Sequence, residues 1–110
     1  MIEKEDLKIR EIHREKVVDL TKEFLTEKDP NSLKKLVNEL WSTEVIKNKE
    51  WWIREKILKN QNIGFIVTFL RQLIDEKIPL ERRLNQKVKG FGIRTKTEII
   101  YCFYPDKYPV

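Results

Sequence analysis

A chain of 110 residues with 40% apolar and 37% charged side chains has the length of one domain with one modest core. No apolar run approaches the ~20 residues that a membrane-crossing helix needs. The single cysteine excludes an internal disulfide and a four-cysteine iron–sulfur cluster. "MIEKEDLKIREIHREK" is charged throughout and has no secretory h-region, so a cytoplasmic chain with no membrane partner is expected. The net charge of +5 is unevenly spread. Residues 1–78 hold 16 basic and 15 acidic side chains, whereas residues 79–110 hold seven basic (Arg82, Arg83, Lys87, Lys89, Arg94, Lys96, Lys107) and three acidic. A local cationic excess attracts polyanions, nucleic acid foremost, although a solvated charged face has the same composition.

Every element reads as helix. No stretch alternates polar and apolar residues between turn signals, so strands are not expected. The first helix is predicted from Glu3 to Glu27, with Ile9, Ile12, Val17, Leu20 and Phe24 on one arc at 100° per residue. His13 falls inside that arc as a partly buried, hydrogen-bonded residue. With no second His and no paired Cys, it points to no metal site. Asp29 and Pro30 then read as the N-cap and first residue of a second helix, with Leu33, Leu36, Val37 and Leu40 facing the core.

After an irregular piece near 42–47, Asn48 is placed to cap a third helix running to Leu58. Asn60 or Asn62 caps a fourth, running to about Asp75. On the third, Trp51, Ile53, Ile57 and Leu58 share a side, and Trp52 projects opposite, between Lys56 and Lys59. Trp52 is therefore a candidate partner contact, unless another helix covers it. Pro79 opens a fifth helix carrying Leu80, Leu84 and Val88, and a sixth spans about Ile93 to Tyr104. Tyr101, Tyr104 and Tyr108 read as packing aromatics with their hydroxyls at the surface. The expected fold is all-α: a compact bundle of five to six helices in a single domain over residues 1–110, cut from a longer protein.

Two of the three glycines, Gly90 and Gly92, lie between the last two helices in "KVKGFGIRTK". A reversal in so few residues needs the positive φ that glycine supplies. A turn entering a helix also leaves backbone N–H groups unpaired at the positive end of the helix dipole, where an anion is stabilised. A P-loop would need G-x-x-x-x-G-K-[ST], and the dinucleotide fingerprint needs G-x-G-x-x-G after a strand. Thr95 stands at the third glycine position and no strand precedes it, so both nucleotide readings fail.

The stretch "LERRLNQKVKGFGIRTKTEII" resembles a helix-hairpin-helix DNA-binding motif, with Gly90, Phe91 and Gly92 as the hairpin and Leu84, Val88, Ile99 and Ile100 at its apolar positions. The likeness covers about residues 80–103, roughly a fifth of the chain. The wider run to "FYPDKYPV" is similar to the hairpin region of base-excision DNA glycosylases and to helical segments of McrB-type AAA+ restriction proteins. The resemblance implies a DNA phosphate-binding site over Lys89, Gly90, Phe91, Gly92, Ile93, Arg94, Thr95 and Lys96, made largely of backbone amides. One departure is Lys96, where the family carries a small residue. Its stem is expected along the inter-helix contact and its ammonium outward, near the phosphate.

The glycosylase reading needs an activating Asp beyond the second helix, and Asp106 comes too early for it. No Ser–His–Asp or paired-carboxylate set is present, so no catalytic residue, cofactor or metal is assigned. The function expected is a non-catalytic module gripping duplex or branched DNA by its backbone, within a larger DNA repair or restriction machine. The alternatives are a protein-interaction or oligomerisation module, with the hairpin purely structural, and a fragment of a DNA glycosylase.

Overall fold

Asp29 and Pro30 set the first corner of the fold. In the computed structural model, which describes residues 4–107, α1 (Lys4–Glu27) ends at Lys28, whose φ of 55° turns the chain out of the helix. The Asp29 carboxylate accepts the Ser32 N–H at 2.8 Å and the Ser32 hydroxyl at 2.6 Å, so α2 (Pro30–Glu39) starts with its cap in place. Those hydrogen bonds from Ser32 hold the carboxyl below the usual Asp range. Leu33, Leu36, Val37 and Leu40 are all fully buried, as their spacing predicts.

A 3₁₀ turn over Trp41–Thr43 leads to α3 (Lys49–Trp52), which Asn48 caps by accepting the Trp51 N–H. Here the winding changes. Ile53–Leu58 forms a π turn, closed by Lys59 N–H donating to the Arg54 carbonyl at 3.0 Å. At 100° per residue Trp51 lies about 160° from Ile53, so the side the two are read as sharing is not one helical face. Trp51, expected inward, is 45% exposed with the Lys56 ammonium 5.8 Å from its ring, and Trp52 is half-buried against the core.

The core is centred on α4 (Ile63–Leu73), capped by Asn62, where Ile66, Phe69, Leu70 and Leu73 are buried. α1 lays His13, Val17, Thr21 and Phe24 against this core. Ile9 and Ile12, expected in the buried arc, are exposed, while His13 beside them is buried against the 3₁₀ turn and α6. The start of that helix at Glu3 lies outside the described residues.

α5 (Leu80–Leu84) is shorter than its apolar spacing predicts: the chain leaves the helix after Leu84, and Val88 pairs with Phe91 instead. α6 (Ile93–Phe103) buries Ile99, Ile100 and Cys102. The Tyr104 hydroxyl, expected at the surface, donates to the Ile74 carbonyl and ties the end of α6 to the end of α4. Tyr108 lies outside the described residues. Six helices and no strand are found among residues 4–107, an all-α bundle.

Candidate functional site

Phe91 N–H donates to the Val88 carbonyl at 3.0 Å, closing a four-residue turn in which Gly90 holds φ at +86°. That is the position where a type II turn requires positive φ. Space demands the same residue. A Cβ on Gly90 would lie 2.5 Å from Cγ1 of Ile57 and 3.3 Å from the Trp52 ring. Gly92 is a different case. Its backbone is extended (φ −76°, ψ −177°), it stands as N-cap of α6, and a Cβ there would meet nothing within 4 Å.

Lys96 N–H donates to the Gly92 carbonyl at 3.0 Å and begins α6. By helix geometry the N–H groups of Ile93, Arg94 and Thr95 then have no acceptor within the helix, and no side chain caps them. Gly92, Ile93 and Arg94 are exposed. The opening of α6 is thus a set of aimed donors at the positive end of the helix dipole.

The turn is fixed by side chains from outside it. The Gln61 amide donates to the Lys89 carbonyl at 2.7 Å and accepts the Lys89 N–H at 3.2 Å, matching both backbone groups of one residue. From α6 the Lys96 ammonium donates to the carbonyls of Leu84 (2.9 Å) and Gln86. The expected outward course of that ammonium is therefore corrected: its stem does cross the inter-helix contact, but the charge serves the end of α5. Lys96 is only 6% exposed, and burial lowers its pKa from the ordinary lysine value. Beneath the turn, Phe91 is buried with its ring edge-on to Phe69 at 5.2 Å.

The cationic excess of the last third is smaller at the surface than in the sequence. Arg83 is buried and donates to the Leu73 carbonyl at 3.1 Å, Lys96 is committed as above, and Lys107 pairs with Glu76 at 3.1 Å. Arg82, Lys87, Lys89 and Arg94 remain exposed. Three of these border the turn in sequence, on either side of the two glycines.

Thr95 is buried, and its hydroxyl lies 2.9 Å from that of Ser42. One helical turn on, Glu98 accepts the N–H groups of Trp41 (2.8 Å) and Ser42 (2.9 Å) and pairs with His13 Nε2 at 2.8 Å. His13 in turn stacks on Trp41, ring centroids 3.8 Å apart. Glu98 thereby anchors α6 to α1 and the 3₁₀ turn. Burial, with Glu98 nearby, pushes the Cys102 thiol up to about 12, so at neutral pH it stays protonated and unreactive.

Of the residues singled out in the sequence, Lys89, Gly92, Ile93 and Arg94 are exposed around the turn, whereas Phe91, Thr95 and Lys96 are buried. Trp52 packs beneath that turn at Gly90 and does not stand free, and Trp51 is the exposed member of the pair. Sequence reasoning missed Gln61 and the cleft of about 670 Å³ beside it, lined by Asn60, Gln61, Asn62, Phe65, Lys87 and Lys89 among others. The run "NQN" reads only as helix-capping residues, and no local pattern couples it to a turn 28 residues away. Comparison with protein-family models, with curated proteins and with solved structures finds no match.

Proposed function

We propose that this chain is a non-catalytic module that grips DNA by its phosphate backbone at the Val88–Thr95 turn. The observation that carries the reading is the opening of α6: three N–H donors with no acceptor within the helix and no side-chain cap follow an exposed glycine that a Cβ would not crowd. A phosphate is the group such a site stabilises. Lys87, Lys89 and Arg94 add exposed positive charge around it without reading sequence. The likeness to a helix-hairpin-helix supports the same reading, since α5, a glycine turn and α6 follow one another in that order.

Anisotropy titration of a labelled duplex tests it. Binding should weaken steeply with salt, and Lys89→Glu with Arg94→Glu should reduce affinity at least tenfold while the helical circular dichroism is unchanged. A double variant that binds as tightly as the parent would falsify the reading.

A protein-interaction role is favoured by a separate observation: Leu7, Ile9 and Ile12 expose 45–57% of their surface on the first turns of α1. Sedimentation would detect it as a dimer insensitive to DNA.

A further inference from the structure

Resting on the phosphate-backbone reading above, we propose that the cleft beside the turn receives an unpaired base of the bound strand, with Phe65 as its stacking surface. Phe65 sits in the first turn of α4 and is 48% exposed, its ring bordering the cleft. Leaving so much of a phenylalanine wet is costly, and a flat aromatic partner would recover that burial. The cleft, about 670 Å³, has the size of a small-ligand site.

Its lining suits a nucleotide in charge. Lys87 and Lys89 border it, no acidic side chain does, and neither lysine has an acidic partner among the described residues. Its hydrogen-bonding groups suit a base edge. Asn60 donates its amide to the Glu55 and Lys56 carbonyls, which leaves its oxygen as an acceptor. Asn62 uses its oxygen to cap α4, which leaves its NH₂ as a donor. Gln61 spends one N–H and its oxygen on Lys89, which holds it to the turn. Lys89 borders both the cleft and the turn, so base and phosphate of one strand meet adjoining surfaces. In continuous duplex the bases face inward, so only an unpaired base reaches Phe65. The inference is a preference for DNA with a single-stranded end, gap or flap. Stacking on an aromatic side chain tolerates any base, because every base has a π face.

Three labelled probes of one duplex test it: blunt, carrying a short thymidine overhang, and carrying an abasic overhang of equal charge. The parent chain should bind the thymidine overhang roughly tenfold more tightly than the abasic one. Phe65→Ala and Phe65→Leu should erase that difference while leaving blunt-duplex affinity unchanged, and Phe65→Trp should retain it. Circular dichroism confirms that each variant is folded. If the parent treats the thymidine and abasic overhangs alike, or if Phe65→Ala keeps the difference, base stacking is overturned and backbone binding stands. If the parent binds no probe at low salt, the backbone reading fails and this inference with it.

Discussion

The Lys96 ammonium lies 2.9 Å from the carbonyl oxygen of Leu84 and closes the end of α5 from the neighbouring helix. A helix of five residues offers most of its carbonyls no intrahelical partner. A cation at its C-terminal end answers that shortage and opposes the dipole with the right sign. The bare stripe of Lys96, Ile99, Ile100 and Phe103 thus carries a polar tip at one end, where it meets the turn.

Replacing Lys96 by Met should keep the stem's packing and leave the Leu84 and Gln86 carbonyls without their donor. The expected loss is about 1–3 kcal/mol of stability, read by urea denaturation. Affinity for duplex DNA, measured well below the unfolding temperature, should change less than threefold, because the ammonium does not face the opening of α6. A tenfold loss of affinity with unaltered stability would reverse this assignment.

The two glycines of the turn should respond differently to alanine. Gly90→Ala imposes a Cβ on a positive φ and on the Ile57 side chain, and should cost about 2–4 kcal/mol. Gly92→Ala meets open space, and should cost at most about 1 kcal/mol as a poorer N-cap. Gly92→Asp should stabilise α6 yet weaken DNA binding, since its carboxylate takes the N–H groups a phosphate would use. Thermal melts and anisotropy on the same three variants check the pattern.

Gln61→Ala removes both hydrogen bonds to Lys89. Stability should fall by about 1–2 kcal/mol, and amide exchange at Lys89 should accelerate more than exchange in α4. Uniform acceleration across both would show that Gln61 does not act on the turn in particular.

Cys102 gives the fold an alkaline weakness. The folded thiol, pushed up to about 12, keeps its proton at pH values where the unfolded thiol has lost it. The folded state then binds more protons, so stability declines as pH rises from about 9 toward 12. Cys102→Ala should flatten that slope. Below pH 8 thiol reagents should label the parent only as it unfolds.

The caps and the leucine stripe were legible in the sequence because they are local. Asp29, Asn48 and Asn62 each bind an N–H three residues ahead, and Leu33 to Leu40 need only helical spacing to face inward. Helical spacing itself puts Trp51 about 160° from Ile53, so grouping the two on one side does not follow from periodicity, and which tryptophan meets the core is set by the turn at Gly90. Spacing alone extends α5 to Val88, whose partner is instead Phe91 across the turn. The direction of Lys96 depended on where α5 ends, and the role of Gln61 on a contact spanning 28 residues. Periodicity carries neither kind of information.

The paired hydrogen bonds from Gln61 and the close packing of Gly90 against Ile57 have a thermodynamic consequence for any anion that docks there. The backbone donors are already immobilised when the ligand arrives, so association orders little of the chain. Its entropy should be dominated by the small cations that leave the polyanion, and the heat-capacity change should be close to that of rigid surfaces meeting, without the large negative value of coupled folding.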